Sequence, residues 1–347
     1  MHRRLTGLAL LTVLAITSLT ACSSAGASPS AAAKTGPWTI GVDIYYAQNT
    51  WSVQAAAETK ATVARDQSRI KQVFYTDSEG KADKQVSNIE DLIAKHVDAI
   101  VVTPIDPTAV VAAIDKAMAA GIKVCLAGSR ADTQNYTCYV NADDKEFGTA
   151  GAQWLADKLG GKGNIIALNG IAGISTSEDR FAGAKEVFAK YPGIKIVGQA
   201  SAEWDYAKGK TATANLLAAN PQVDGVWSQG GEMTRGAIEA FQAANRPLVP
   251  MTGEDNNGFL KAWKSLVDKS TPGFDAIACS KPTSLFGMGV DLVLDALDGK
   301  LAQKDTVVKT GTITAATLDK FLRPDMPDAL WTNTKMTDAE IKALLGQ

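Results

Sequence analysis

The chain has 347 residues, 46% of them hydrophobic, and a formal net charge of −2 at pH 7. Such a length and apolar fraction are enough for one large or two ordinary folded domains, and they exclude a chain that is disordered throughout. A net charge close to zero, without a block of basic residues, argues against a nucleic-acid partner.

The first 21 residues have the pattern of an export signal. Arg3 and Arg4 precede the apolar stretch "LTGLALLTVLAITSL", which is short for a membrane span of about 20 residues. The stretch ends in Leu19-Thr20-Ala21-Cys22, which resembles the bacterial lipobox, where the cysteine becomes lipidated; a spanning anchor that contains a cysteine is the alternative. We therefore expect a signal peptide over 1–21, a lipidated Cys22 and a flexible tether over 22–37, with the protein held on the outer face of the bacterial cell membrane.

Three cysteines follow the lipobox. Cys125 and Cys138 lie in two apolar runs joined by one loop, and an exported chain permits a disulfide between them. Three buried free thiols, including Cys279, are the alternative. Their spacing does not match a metal site, so we predict no metal.

Short β-branched runs alternate with helical stretches from residue 38 onward. The first set comprises strands over 39–46, 70–76, 98–104 and 123–127, with helices over 52–68, 81–96 and 107–120. Pro107 is expected in the first turn of its helix, with Asp106 as the cap. Continuous apolar strands separated by amphipathic helices indicate a parallel sheet that is covered on both faces.

The same order then begins again. The second set comprises strands over 164–169, 195–201, 225–230 and 248–253, helices over 176–190, 206–219 and 233–244, and further strands over 275–280 and 307–313. The segment after Phe321 is expected to wrap around a lobe and to end in a short helix. Two such sets predict two doubly wound, Rossmann-like α/β lobes, which bind ligands beyond the carboxyl ends of their strands. Polar side chains stand at those positions: Asn49, Thr103, Asp106, Arg130, Arg180, Glu232 and Glu254.

The sequence offers little for catalysis. Only His2 and His96 are present, and His2 leaves with the signal, so histidine triads and the usual zinc sets are excluded. Gly209-Lys210-Thr211 lacks the first glycine of a P-loop, and Gly170 and Gly173 lack dinucleotide-turn spacing. We predict a binding protein without a cofactor, and keep an extracellular enzyme as an alternative.

Several motifs taken in order resemble the type I periplasmic sugar-binding proteins of ABC importers, above all the ribose-binding branch. They are "TIGVDIYYAQNTWSVQ", "DAIVVTPIDPTAV", "YVNADDKEFG", "LNGIAGISTSEDRFAG", "EWDYAKG" and "VWSQGGEMTRGAIEAF". The resemblance covers residues 38 to about 312 and implies two lobes joined by a three-segment hinge. It places 38–142 with 281–312 in the N-terminal lobe, and 143–280 with 313–347 in the C-terminal lobe.

The resemblance also implies roles for individual residues. Asn49 would bond sugar hydroxyls, and Trp51 and Trp204 would lie against the ring from opposite lobes, a core position being the alternative for each. Arg180 would donate its planar fork to ligand oxygens, with a helix-surface salt bridge as the alternative. The full predicted ligand set is Asn49, Trp51, Thr103, Asp106, Arg130, Asp143, Arg180, Trp204, Glu232, Glu254 and Ser280.

Several positions depart from the ribose-binding pattern. Gly128-Ser129-Arg130 replaces an Asp-Arg pair, Gly230-Gly231 replaces Asn-Asp, Gly253 replaces an aspartate and Ser280 replaces a glutamine. Fewer side chains would then reach a ribose, and a different pentose, a polyol or a larger sugar fits as well.

The function implied by the resemblance is capture of a sugar or polyol between closing lobes, and its delivery to the permease and ATPase of an ABC transporter. The protein would act as a monomer and carry no cofactor. A membrane-tethered sensor of a sugar or signal molecule, passing closure to a chemotaxis or quorum-sensing receptor, is the alternative.

Overall fold

The computed structural model describes residues 35–346. The predicted signal peptide, Cys22 and most of the predicted tether lie outside the described residues. Within 35–346, no helix is both long enough and apolar enough to cross a membrane.

The first lobe is a parallel six-stranded sheet with the order β11-β5-β4-β3-β1-β2, its elements numbered in chain order. Its strands are β1 (Trp38–Ile44), β2 (Ile70–Asp77), β3 (Ala99–Val102), β4 (Lys123–Ala127), β5 (Cys138–Ala142) and β11 (Asp305–Val308). Its helices are α1 (Thr50–Arg65), α2 (Ala82–Ala94), α3 (Val111–Ala119) and α9 (Leu285–Leu297). Every residue of β3 is buried, as expected of a strand that helices cover on both faces.

The second lobe repeats this arrangement with the order β12-β10-β9-β8-β6-β7. Its strands are β6 (Lys162–Asn169), β7 (Gly193–Ser201), β8 (Gly225–Ser228), β9 (Met251–Glu254), β10 (Ala276–Ser280) and the antiparallel edge strand β12 (Gly311–Ile313). Its helices are α4 (Asp144–Lys158), α5 (Ser175–Phe188), α6 (Tyr206–Ala219), α7 (Gly231–Ala243) and α8 (Asn257–Asp268). The chain ends with α10 (Leu318–Phe321) and α11 (Asp338–Leu345). The predicted fold of two doubly wound lobes is confirmed.

The chain passes between the two sheets three times: after β5, after β10, and between β11 and β12. The prediction of one strand over 307–313 is wrong, because this segment contributes to two short strands, β11 and β12, which lie in different sheets. Thr310 lies between them, and its hydroxyl donates to the backbone carbonyl of Asp143 at 3.0 Å, next to the first crossing. The predicted lobe boundary at residue 312 therefore falls inside β12.

The helix predicted from Pro107 begins later than expected, at Val111. The Asp106 carboxylate accepts from the backbone N–H groups of Thr108 and Ala109 at 2.8 and 2.9 Å. Asp106 therefore closes a turn ahead of the helix, since an aspartate bonded to the next backbone groups favours a turn as readily as a cap.

The helices α4 and α5 pack at unusually close range because glycines face backbone at their contact. A Cβ on Gly148 would lie 1.8 Å from the carbonyl oxygen of Arg180, and one on Gly183 would lie 2.4 Å from that of Lys145. Only a residue without a side chain fits at either place. This contact fixes the backbone of Arg180 against α4.

Cys125 and Cys138 pair directly on the neighbouring strands β4 and β5 and are joined by a disulfide, with their Cα atoms 4.5 Å apart. Of the two alternatives left open by the sequence, the structure contains the bridge. Cys279 is a free and buried thiol, and burial raises its pKa to about 12.

Candidate ligand-binding site

A cavity lies between the lobes and is lined by side chains from both. It opens where β1, β3 and β4 of the first lobe and β6, β7, β9 and β10 of the second lobe end, as expected for sheets of this kind. Its walls come from both lobes and from the C-terminal segment: Tyr45, Asn49, Trp51, Thr103, Gly128, Ser129, Ile174, Thr176, Arg180, Trp204, Glu254, Lys281, Phe286 and Trp331.

Arg180 is 1% exposed and is held by two carboxylates. Its Nε donates to Asp144 Oδ1 at 3.0 Å, while Nη1 and Nη2 donate to the two oxygens of Glu254 at 3.2 and 3.1 Å. Nη1 also donates to the carbonyl of Gln229 at 2.8 Å, and the guanidinium lies 3.6 Å from the ring centre of Phe147. These bonds use four of the five N–H groups. Arg180 therefore orients Glu254 at the cavity wall and keeps at most one donor for a ligand.

Lys281 is a second buried cation, and it lies beside the carboxylate of Asp144. Its Nζ donates to both oxygens of Asp144 at 3.1 and 2.9 Å, to the carbonyl of Gly128 at 2.8 Å and to the hydroxyl of Thr176 at 3.2 Å. Gly128 belongs to the first lobe, and Asp144 and Thr176 to the second. Lys281 thus joins the lobes at the base of the cavity.

The four charges balance one another. Burial alone would raise the pKa of Asp144, but Lys281 and Arg180 together lower it below its ordinary value. Burial lowers the pKa of Lys281, and Asp144 opposes that change. Burial raises the pKa of Glu254, and Arg180 opposes it. Two cations facing two carboxylates make this cluster formally neutral, which favours a neutral ligand over an ionic one.

An aromatic wall covers the first-lobe side. Trp51 packs edge-on against Phe286 with ring centres 5.5 Å apart, and its Nε1 donates to the carbonyl of Lys281 at 3.3 Å. Tyr45 also packs edge-on against Phe286 at 6.4 Å, and its hydroxyl accepts from Ser52 at 2.9 Å. Trp51 is 8% exposed and belongs both to the core and to the cavity wall, so its two sequence interpretations are compatible.

Trp204 forms the opposing wall in a strained backbone conformation. Glu203 and Trp204 have φ values of 54° and 56°, which non-glycine residues rarely adopt. The indole occupies the space beside Gly170, where a Cβ would lie 2.1 Å from Trp204 Cζ2. The glycine turn after β6 therefore makes room for an aromatic ring. The buried Nε1 of Trp204 has no hydrogen-bond partner among the described residues.

Asn49 and Thr103 are held by local networks. Asn49 caps α1 by accepting from Ser52 N at 2.8 Å, and its Nδ2 donates to the Tyr45 hydroxyl at 3.5 Å. The side chain of Gln85 donates to the carbonyl of Thr103 at 2.9 Å and to the buried carboxylate of Asp43 at 2.7 Å. The loop after β3 is thus fixed from within the first lobe.

The two lobes contact each other across the cleft beside the cavity. The hydroxyls of Ser129 and Ser175 lie 2.8 Å apart, and Thr176 Oγ1 donates to Gly128 O at 3.1 Å. Arg130 Nε donates to Asp179 at 3.1 Å. The conformation is therefore a closed one.

Six of the eleven predicted ligand residues line the cavity: Asn49, Trp51, Thr103, Arg180, Trp204 and Glu254. The other five lie outside it. Asp106 closes its turn, Asp143 caps α4 by accepting from Glu146 N, and Arg130 pairs with Asp179 and Asp132 at the rim. Ser280 accepts from Asn333 at 2.9 Å. Glu232 is largely buried beside Thr50, and burial raises its pKa to about 7.

Lys281 and Trp331 were missed by sequence reasoning. Lys281 follows β10 immediately, so its place at a strand's carboxyl end was a usable signal. Trp331 stands in the irregular C-terminal segment, whose path the alternation of strands and helices does not predict. Across residues 35–346 there is no group of three or more His, Cys, Asp or Glu side chains arranged to hold a metal ion.

A model of the periplasmic binding protein domain matches residues 40–301, which is most of the chain. The chain belongs to the periplasmic binding protein family. Proteins of this family bind solutes and are not enzymes. The prediction of a binding protein, rather than an extracellular enzyme, is therefore confirmed.

Individual relatives are also named as binding proteins. The chain is 29% identical over 289 residues to the ribose import binding protein of Bacillus subtilis, covering 82% of this chain and 91% of that protein. It is 32% identical over 185 residues to the xylitol-binding protein of Mycolicibacterium smegmatis, covering 53% of each. Its structure is similar to a protein from Mycobacterium smegmatis in complex with β-D-fucofuranose, with a TM-score of 0.73, 26% identity, and coverage of 82% and 94%.

Proposed function

We propose that this periplasmic binding protein captures a neutral sugar or polyol between its lobes and delivers it to the permease of an ABC transporter. The observation that supports this proposal most directly is the lining of the cavity. Indole rings from both lobes form its walls, and paired cations and carboxylates form its base. Indole faces suit the apolar C–H face of a carbohydrate, and the carboxylate and amide oxygens suit its hydroxyls. The relatives named for ribose and xylitol support the same class of ligand.

Closure on the ligand follows from the way the site is divided. Arg180, Glu254 and Trp204 come from the second lobe, whereas Asn49 and Trp51 come from the first. A ligand that contacts both sets binds the closed form more tightly than the open one and shifts the population toward it.

We further propose that the protein is extracytoplasmic, acts as a monomer, and is held to the outer face of the membrane by lipidated Cys22. The apolar stretch before Leu19-Thr20-Ala21-Cys22 supports export and lipidation. A buried disulfide between Cys125 and Cys138 suits an oxidising compartment.

The test of ligand class is a thermal-shift screen followed by calorimetry. We expect pentoses, hexoses or polyols to raise the melting temperature, since a ligand at about 100 times its Kd stabilises the fold by about 2.7 kcal/mol. Each sugar is paired with its aldonate, which adds a negative charge and is expected to give no shift. Binding of the aldonate alone, or of no neutral polyhydroxylated compound, would contradict the proposal.

A pair of variants tests the site. Trp51→Ala is expected to weaken binding of the compound found in the screen while the far-UV circular dichroism stays folded. The matched control is Trp154→Ala, because Trp154 is a partly exposed second-lobe residue next to Lys158 and outside the cavity wall. Equal affinities in the two variants would remove Trp51 from the site.

A further inference from the structure

The C-terminal strap, which we define as residues 326–336, connects the two lobes outside the three hinge crossings. It follows α10 and precedes α11, and it runs across the side of the cavity. Its central residue, Trp331, is 1% exposed and lines the cavity. The predicted wrapping of one lobe does not describe this path, because the strap bonds to both.

The strap is attached to the second lobe through the start of α8. Asn257 N donates to the carbonyl of Leu330 at 2.7 Å, and Asn257 Nδ2 donates to the carbonyl of Met326 at 3.1 Å. Asp255 accepts from Asn333 N at 2.7 Å and from the Thr332 hydroxyl at 3.2 Å. Asp255 follows Glu254 directly, so the strap is tied beside the charged base of the cavity.

The strap is attached to the first lobe through one face of α1. Gln54 makes a two-bond clamp on the backbone of Trp331: its Nε2 donates to the carbonyl at 2.9 Å and its Oε1 accepts from the N–H at 3.0 Å. One turn further along α1, the carboxylate of Glu58 accepts from the hydroxyl of Thr334 and from the N–H of Lys335. All four hydrogen bonds are buried or partly buried.

The side chain of Trp331 is oriented by a bond of its own. Its Nε1 donates to Thr50 Oγ1 at 2.9 Å, so the polar edge of the indole is satisfied at the start of α1. The remaining ring forms a wall of the cavity, in addition to Trp51 and Trp204. Because the strap bonds to both lobes, one of its two sets of bonds must change when the lobes separate.

We propose that Trp331 is a further ligand-contacting, specificity-determining residue, presented to the cavity by a strap that docks on α1 when the lobes close. This inference rests on the proposed function. The indole limits the width of the ligand, and the Gln54 clamp positions it without touching the cavity. Enlarging the cavity at Trp331 therefore changes which neutral polyols fit. Releasing the Gln54 clamp instead lowers the affinity for all of them together.

The experiment measures Kd by calorimetry for four probes, D-ribose, D-allose, xylitol and myo-inositol, with the unchanged chain and three variants. Trp331→Leu is expected to raise the Kd for the probe that binds best by about tenfold. It should also alter the ratio of affinities in favour of the wider probes. Trp331→Phe, which keeps an apolar ring, is expected to do the same to a smaller degree. Gln54→Leu is expected to raise the Kd for every probe that binds and to leave the ratios of affinities unchanged.

Trp263→Phe is the matched control. Trp263 is fully buried, stacks on Phe259 at 5.9 Å within the second lobe and does not line the cavity, so its variant should leave every Kd and ratio unchanged. Unchanged affinities and ratios in folded Trp331→Leu or Trp331→Phe would overturn the inference while leaving the proposed function standing. If the unchanged chain bound neither these probes nor any neutral compound of the thermal-shift screen, the proposed function would be overturned instead, and this inference with it.

Discussion

At the scale of single residues, Arg180 combines a structural and a binding task. It was predicted from the resemblance as a hydroxyl donor, and it lines the cavity, but most of its N–H groups are bonded to Asp144, Glu254 and Gln229. Whether its last donor meets the ligand stays a prediction. Its clearest role in the structure is to hold two buried carboxylates.

Arg180→Ala is expected to lower the free energy of unfolding by about 3 kcal/mol or more, because removing one partner of a buried ion pair leaves uncompensated charge. Affinity for the ligand should fall as well, since Glu254 loses its orientation. Urea unfolding and calorimetry measure the two effects. Arg130→Ala is the control, because its pairs at the rim are half-exposed and worth at most about 1 kcal/mol. Similar losses in both variants would contradict this account.

Gly170→Ala is expected to weaken ligand binding by displacing the indole of Trp204, whose Cζ2 lies 2.1 Å from the position of the new Cβ. Overpacking of this kind costs about 1–3 kcal/mol. Calorimetry gives the readout. Gly311→Ala serves for comparison, since its nearest neighbour lies at 3.7 Å. An unchanged Kd in Gly170→Ala would show that the indole position does not matter for binding.

Residues that follow a strand in the regular alternation, such as Asn49, Thr103 and Glu254, line the cavity, and their contact with a ligand stays a prediction. Asp143 and Asp106 lie outside the cavity wall, because their short acidic side chains bond to nearby backbone N–H groups. Sequence alone does not separate these uses of aspartate, because both occur where a strand or turn leads into a helix.

At the scale of elements, the packing of α4 on α5 decides where Arg180 stands. The two helices approach so closely at Gly148 that the carbonyl of Arg180 would lie 1.8 Å from a Cβ there. The sequence shows the glycine but not its partner, since the contact joins segments more than 30 residues apart.

Gly148→Ala is expected to destabilise the fold by about 1–3 kcal/mol, since the helices must move apart. It should also weaken binding through the shift of Arg180. Gly151→Ala on the same helix is the matched control: its nearest neighbour is 3.5 Å away, and the gain in helix propensity is worth about 1 kcal/mol. Melting curves of both variants measure the difference. If Gly148→Ala proved as stable as Gly151→Ala, the close packing would not be constraining.

Element-level prediction was accurate where hydrophobic periodicity was continuous. The helix expected over 206–219 is α6 with the same bounds, and the strand over 123–127 is β4. It erred at 307–313, because a run of β-branched residues does not reveal that its two halves pair with different sheets.

At the scale of the whole molecule, the pattern of alternating elements was sufficient to predict two lobes with a site between them. The closed arrangement of those lobes was not readable from the sequence, because it rests on contacts such as Lys281 with Gly128 and Asp144, which no local pattern encodes. The strap across the cavity is missing from the prediction for the same reason.

The stability of the whole molecule should depend on pH through its buried acids. Burial, with help from Glu254, raises the pKa of Asp255 from 3.8 to about 7, so between these values the folded chain holds a proton that the unfolded chain has released. The free energy of unfolding therefore falls, through this group, as the pH rises across that window. Glu232, with a pKa raised by burial to about 7, acts in the same direction.

Asp255→Asn is expected to reduce this slope between about pH 4 and 7, because the amide keeps an acceptor oxygen for Thr332 and Asn333 but does not ionise. Urea unfolding at several pH values gives the measurement. A slope as steep as that of the unchanged chain would show that Asp255 does not titrate in this range.

The interleaving of the chain has a consequence for biogenesis. The central strands of each lobe come from one uninterrupted stretch, β1 to β5 and then β6 to β10, while α9 and both edge strands, β11 and β12, are made only after residue 280. As the polypeptide emerges, both lobes can thus assemble their central strands before either lobe is complete. A chain truncated after residue 280 should accordingly leave both lobes incomplete and open to protease, whereas the full chain should protect both.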